Sequence, residues 1–117
     1  MTLAKALCHM GDQLLTGLGD IQVRQIRSMV GLPPVRWFVI HWMPWPKGVK
    51  TAPELLKTEI GEIGAARDRL IEIIERCVER GPNGSWSPHP LFGAISGKDW
   101  GVLGAKHLSH HLRQFGA

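Results

Sequence analysis

The residues best suited to chemistry in this chain are its histidines. There are six, and three of them, His107, His110 and His111, fall in the last eleven residues. His107 and His111 are four apart. On a helix that spacing stacks two imidazoles on one side, one turn apart, with about 5–6 Å between Cβ atoms. Two ring nitrogens can then reach one metal ion at about 2.0–2.1 Å. A two-ligand site holds metal weakly, so a third donor must come from another helix. His9 is the best candidate, because it lies within a second expected helix. His110 could replace either tail partner at i+3 spacing. His41 and His89 sit beside prolines or in loops and read as structural or exposed. Gln13, one turn from His9, could contact a metal-bound ligand. Asp12 reads as a surface residue and Cys8 as packing. Glu59, Glu62 and Asp68 offer carboxylates, but nothing places them near the histidines, so no general base is evident. Arg113 and Gln114 could cap the C-terminus or reach a substrate anion, and capping is the preferred role.

These side chains need helices to hold them. Leu3, Leu7, Met10, Leu14 and Leu18 recur at three- and four-residue steps and define a first helix from about Thr2 to Leu18, ended by Gly17 and Gly19. His9 lies nearly opposite that leucine stripe, on a face with Thr2, Gln13 and Thr16. The metal site therefore requires the helix to be buried on two faces or its polar face to line a wet cavity. Short amphipathic stretches at Ile21–Met29 and Val35–Met43 are interrupted by Gly31 and the Pro33–Pro34 pair, and closed by Pro44 and Pro46. A long helix is expected from Pro53 to Arg80, with Thr51 as N-cap and a seam of Leu56, Ile60, Ile63, Leu70, Ile74 and Cys77. It would be about 40 Å long. After a loop, Ser96 and Asp99 signal the start of the last helix, which runs to about Phe115. Within it Gly104, His107, Leu108, His111 and Phe115 share a stripe, so the histidine pair sits at the edge of the buried face. Trp86 and Trp100 read as packing residues. The expectation is an all-α protein.

Composition sets the frame. The 117 residues are 44% hydrophobic and 21% charged, as in an ordinary globular domain, and the length suits a single domain spanning 1–117. No apolar run is long enough to cross a bilayer, and the N-terminus lacks a secretory pattern. Cys8 and Cys77 show no CxxC spacing and read as reduced thiols of a cytoplasmic protein. The net charge of +4 belongs to Ile21–Pro53, which holds Arg24, Arg27, Arg36, Lys47 and Lys50, no acidic residue, and Trp37, Trp42 and Trp45. Five scattered cations make no stripe, and no nucleic-acid-binding signature accompanies them. The preferred reading is a solvated connector whose tryptophans cover a core.

The tail from His89 to Gly116, HPLFGAISGKDWGVLGAKHLSHHLRQFG, and the opening Met1–Leu14, MTLAKALCHMGDQL, together resemble a branch of the DinB-like superfamily. That branch pairs HPxFGxxxxxxWGxxxxKHLxHHLxQFG with MTxxxALxHxxDQL. The superfamily comprises four-helix bundles in up-down-down-up order, related to YfiT-type metal-dependent hydrolases and to bacterial thiol S-transferases. The resemblance implies a three-histidine metal site at His9, His107 and His111, holding a divalent transition metal such as zinc, nickel or iron. It also implies a small-molecule substrate or low-molecular-weight thiol. The ion would activate water for hydrolysis or hold a thiolate for attack on an electrophile. A non-catalytic helical-bundle binding module is the alternative. Relatives of this kind carry a further helix before the MTxxxALxH segment, so the chain is expected to lack the bundle's first helix. A start codon placed too far downstream is the preferred explanation. A homodimer covering the exposed groove, or the short helices of residues 21–43 filling it, are the others.

Overall fold

A computed structural model describes residues 2–25, 31–43, 55–56 and 58–116. The protein is all-helical: α1 (Leu3–Leu18), α2 (Pro33–His41), α3 (Ile63–Arg80) and α4 (Gly97–Gln114). Among the described residues the only strand-like feature is an isolated bridge between His89 and Gly93. None of these helices is long and apolar enough to cross a membrane.

α1 starts and stops where its sequence dictates. The Thr2 hydroxyl accepts the Lys5 N–H at 3.1 Å. Gly19 takes the left-handed conformation, φ 91°, that closes the helix against the carbonyls of Leu15 and Thr16. α1 is buried on almost every side. Its leucine face meets α3, where Leu7, Met10, Leu14 and Leu18 pack with Ala66, Leu70 and Ile73. Its other side meets α4 and the tryptophan-bearing loop. A Cβ at Gly17 would lie 3.1 Å from the rings of both Trp86 and Trp100, so glycine lets that aromatic pair, stacked at 6.2 Å, approach the helix.

α3 runs parallel to α1. Arg69 pairs with Asp12 at one level, and two turns further along α3 Arg76 pairs with Asp20, just past the end of α1. α4 runs antiparallel to α1, since Trp100 lies by Gly17, Gly104 by Leu14 and His107 by His9.

The long helix is shorter than its periodicity predicts. It begins at Ile63, not Pro53, and its 18 residues make about 27 Å of helix. Glu62 is its N-cap. One carboxylate oxygen accepts the Gly64 N–H at 2.8 Å and the other accepts Ala65 N–H at 2.6 Å. Glycines at 61 and 64 weaken helix propensity on both sides of that cap. Thr51 and Pro53, the expected start, lie outside the described residues. The seam shifts accordingly to Ala66, Leu70 and Ile73, with Ile74 and Cys77 partly buried. Ile63 is half exposed and Leu56 faces solvent. The non-helical backbone before Ile63 instead crosses the start of α1. There Lys5 donates to the carbonyls of Leu56 and, at 3.1 Å, Thr58, and pairs with Glu59 at 3.4 Å.

α2 starts two residues earlier than expected. Pro33 and Pro34 form its first turn, where a missing N–H costs nothing. Ile40 is its one fully buried side chain, packed with Phe92 and Leu103. Lys106 caps its end by donating to the carbonyls of Ile40 and, at 2.9 Å, Met43. His41 meets Asp99 at 2.9 Å, and Arg36 donates to the carbonyls of Phe92 and Ala94. Residues 21–25 are not helical, and the rest of the expected Ile21–Met29 stretch lies outside the described residues. Trp37 is 54% and Trp42 69% exposed, so they do not cover a core as expected. Trp45, Arg27, Lys47 and Lys50 lie outside the described residues.

α4 begins as read. The Ser96 hydroxyl accepts the Asp99 N–H at 3.1 Å. Its first turn is pinned by Trp100, whose indole N–H donates to the Ser87 carbonyl.

Candidate metal centre

The antiparallel contact of α1 with α4 brings His9 against His107 and His111. His9 and His107 are buried, and His111 is half-buried at the rim. The His107 Nε2 lies 3.0 Å from Nε2 of His9 and 2.9 Å from Nε2 of His111. The three ligand atoms all lie within 4.8 Å of one another. Two nitrogens bound at about 2.05 Å to one ion stand about 2.9 Å apart at a right angle and about 3.4 Å apart at a tetrahedral one. The two spacings at His107 are of that kind.

Burial of His9 resolves the conflict between its position and the leucine stripe. α1 is enclosed from both sides, so the face opposite the leucines is interior. The same enclosure corrects the reading of Asp12. It is 1% exposed, with one carboxylate oxygen 2.6 Å from the Arg69 guanidinium. Its other oxygen has no hydrogen-bond partner among the described residues.

Hydrogen bonds fix the ring tautomers. Nδ1 of His9 lies 3.3 Å from the Leu55 carbonyl, which can only accept, so Nδ1 carries the proton. Nδ1 of His111 lies 3.0 Å from the Gln114 side-chain oxygen and donates to it. Both rings are therefore left with an Nε2 lone pair facing the centre. This is the outer-shell arrangement that orients metal-binding imidazoles. Burial lowers the basicity of all three. It takes His107 down to about 2, with the neighbouring His9 and His111 adding to the effect. His9 is lowered chiefly by burial, against the opposing pull of the Leu55 bond and the Asp12 charge. His111 is lowered by burial, partly offset by Gln114. At neutral pH the three rings are uncharged, the state a metal requires.

The other residues singled out in the sequence stand apart. His110 touches the His111 ring edge-on at 5.2 Å and Gln114 at 3.4 Å, and does not join the group. His41 is engaged by Asp99. His89 is buried in the loop before α4, in keeping with the structural one of its two expected roles. Cys8 packs in the α1–α3 core. Glu59, Glu62 and Asp68 are not on a common helix as expected: Glu59 precedes α3 and meets Lys5, Glu62 caps it, and Asp68 faces Arg67. Two supporting groups escaped the sequence. Gln114 could have been found from its i+3 spacing to His111, although capping was the expected role. The Leu55 carbonyl carries no side-chain signal at all.

The fold and site thus define an all-helical protein whose first and last helices bring three histidines close enough to hold a metal ion. Residues 36–117 match the family described as "Protein of unknown function (DUF1569)", and the chain belongs to that family. The match takes in His107 and His111 and begins after His9. No curated protein and no solved structure matches the chain.

Proposed function

We propose that this protein binds a divalent transition metal through Nε2 of His9, His107 and His111. One observation carries the reading. Two of the three Nε2 atoms, those of His9 and His111, have given their ring's proton to Nδ1, and both lie within 3.0 Å of the third. His107 Nε2 can hold at most one proton, so at most one of these contacts is a full two-centre hydrogen bond, and with that nitrogen bare both set lone pair against lone pair. A shared cation removes that repulsion.

Three neutral nitrogen donors leave coordination positions open, as in catalytic sites rather than structural ones. A metal held there supplies Lewis acidity for a carbonyl or a resting place for a thiolate. The reading places the protein among DinB-like metal-dependent enzymes, as a hydrolase or thiol S-transferase working in the cytoplasm on a small molecule or low-molecular-weight thiol. The helix directions support it: parallel α1 and α3 with antiparallel α4 have the directions that the last three helices of an up-down-down-up bundle would have. Zinc, nickel and iron all suit three imidazoles. The unpaired state of Cys8 and Cys77 accords with a reducing compartment.

A non-catalytic binding module remains the second reading, and one observation favours it. The carboxylates of Asp12, Asp20, Glu59, Glu62 and Asp99 are each committed to a cation, a histidine or a helix cap. None stands at the centre as a general base. Calorimetric titration of metal-free protein with zinc and with nickel tests the main reading. One ion bound per chain, and none in His111→Ala, is expected. Equal metal content in the two would overturn the assignment. Turnover of thiol–electrophile pairs or ester and amide substrates by the loaded protein then separates enzyme from module.

A further inference from the structure

One turn beyond His9 on α1, Gln13 meets a second buried imidazole, His89. His89 occupies a tight turn closed by paired backbone hydrogen bonds with Gly93, at 2.8 and 2.9 Å. Its Nδ1 receives two backbone N–H groups, from Leu91 at 3.0 Å and Phe92 at 3.3 Å. Two donors aimed at one nitrogen leave no place for a proton there. Burial also drives the ring's pKa down to about 4, so it is neutral at pH 7 with its single proton on Nε2. That N–H faces the Gln13 amide, whose Nε2 is placed 3.4 Å away. Two donors cannot bond to each other. Turning the amide over puts its oxygen against His89, where it accepts, and carries the amino group to the opposite side.

The opposite side follows from the helix, on which His9 precedes Gln13 by one turn. His89 packs on Trp100, ring centroids 5.0 Å apart, and Trp100 lies against Gly17, a turn beyond Gln13 away from His9. Helical Cβ bonds tilt toward the N-terminus, which at Gln13 means toward His9. Among the described residues Gln13 has no side-chain hydrogen bond other than that to His89. Its amino group is thus left with donors and no acceptor in a half-buried position.

We infer that Gln13 is a ligand-recognition residue, aimed by His89, whose amino group donates to an acceptor oxygen of the carbonyl or carboxylate compound bound at the three-histidine centre. His89 acts through Gln13 and is a positioning residue. The inference rests on the metal reading above and adds the chemistry of the ligand: an oxygen acceptor on the α1 side of the ion.

The test uses the full chain loaded with cobalt(II), whose visible absorption reports both metal occupancy and ligand exchange, with acetate as the probe. Gln13→Leu removes the donor. Gln13→Glu keeps the shape and the acceptor for His89 but sets an oxygen where the amino group was. Both variants should bind one cobalt per chain, as the wild type does. Acetate affinity should fall about tenfold in Gln13→Leu, the usual effect of one hydrogen bond to a charged group, and further in Gln13→Glu. His89→Leu should weaken acetate binding in the wild-type background and add little to Gln13→Leu, which a purely structural role would not produce. Cobalt uptake with acetate affinity within twofold of wild type in both Gln13 variants overturns the inference and leaves the metal reading standing. So does a loaded wild type that ignores acetate. Failure of the wild type to take up cobalt sinks the metal reading itself, before any acetate is added.

Discussion

The chemistry of the centre comes down to where single protons sit. A neutral imidazole has one N–H, and each ring's partner decides which nitrogen carries it. His9 spends its proton on the Leu55 carbonyl and His111 on Gln114. Replacing Gln114 by leucine should leave the fold intact and weaken zinc affinity about 10–100-fold, the ordinary cost of losing an outer-shell partner. Competition with a chromophoric chelator measures this, and an unchanged affinity would show that the His111 tautomer needs no support. Proton binding gives a second expectation. His107 and His89 have folded pKa values of about 2 and about 4, below the unfolded value near 6.5. Between those limits the unfolded chain holds more protons, so stability is full above pH 6.5 and is lost as pH falls. Each buried ring contributes a slope of up to about 1.4 kcal/mol per pH unit. Urea denaturation of metal-free protein at pH 7.5, 6 and 5 should show a midpoint that drops steadily, and a flat profile would contradict neutral burial. At this scale the sequence showed much: His107–His111 spacing marked the pair. Asp12 was misread because its own helix cannot reveal the Arg69 guanidinium that arrives from α3.

Helices that announce their ends were legible, and those that do not were misjudged. α1 and α4 carry Thr2, Gly19 and Ser96 at the positions where orphan backbone groups need them. α3 was overextended because Leu56, Ile60 and Ile63 prolong the apolar period of Leu70, Ile74 and Cys77 across a break. Periodicity has no means of marking where backbone hydrogen bonding stops; Glu62 and the glycines around it do. The misjudgement matters for function, because the released segment supplies the carbonyl that orients His9. A pair of substitutions separates the two versions of the seam. Leu70→Ala should cost about 2–5 kcal/mol, since Leu70 is buried between α1 and α3. Ile63→Ala should cost under about 0.5 kcal/mol, since Ile63 is 51% exposed at the first position of the helix. Chemical denaturation of both variants decides it: comparable losses would restore the longer helix.

Across the whole molecule, His9 and His107 are 98 positions apart, and only the antiparallel meeting of α1 and α4 joins them. The unfolded chain offers no such cluster, so metal bound here acts on the folded state by mass action. At a free metal concentration a hundredfold above Kd it adds about 2.7 kcal/mol of stability. The location of that gain is as telling as its size. α4 ends in exposed residues, including Leu112 and Phe115, and its last turns meet the rest of the protein through the histidine cluster and through Leu108, packed on the α1–α3 core. α2 attaches to α4 over the two turns that precede His107, through Asp99, Leu103 and Lys106. Metal should therefore slow amide hydrogen exchange in residues 107–114, in the first half of α1 and around Leu55, and leave α2 nearly unchanged. The same experiment on His9→Ala should show the protection lost from α1 and α4 together, because the ligand removed from one helix releases the other. Protection confined to α4 in the wild type would mean that the ion is held by the tail histidines alone, with His9 merely buried beside them.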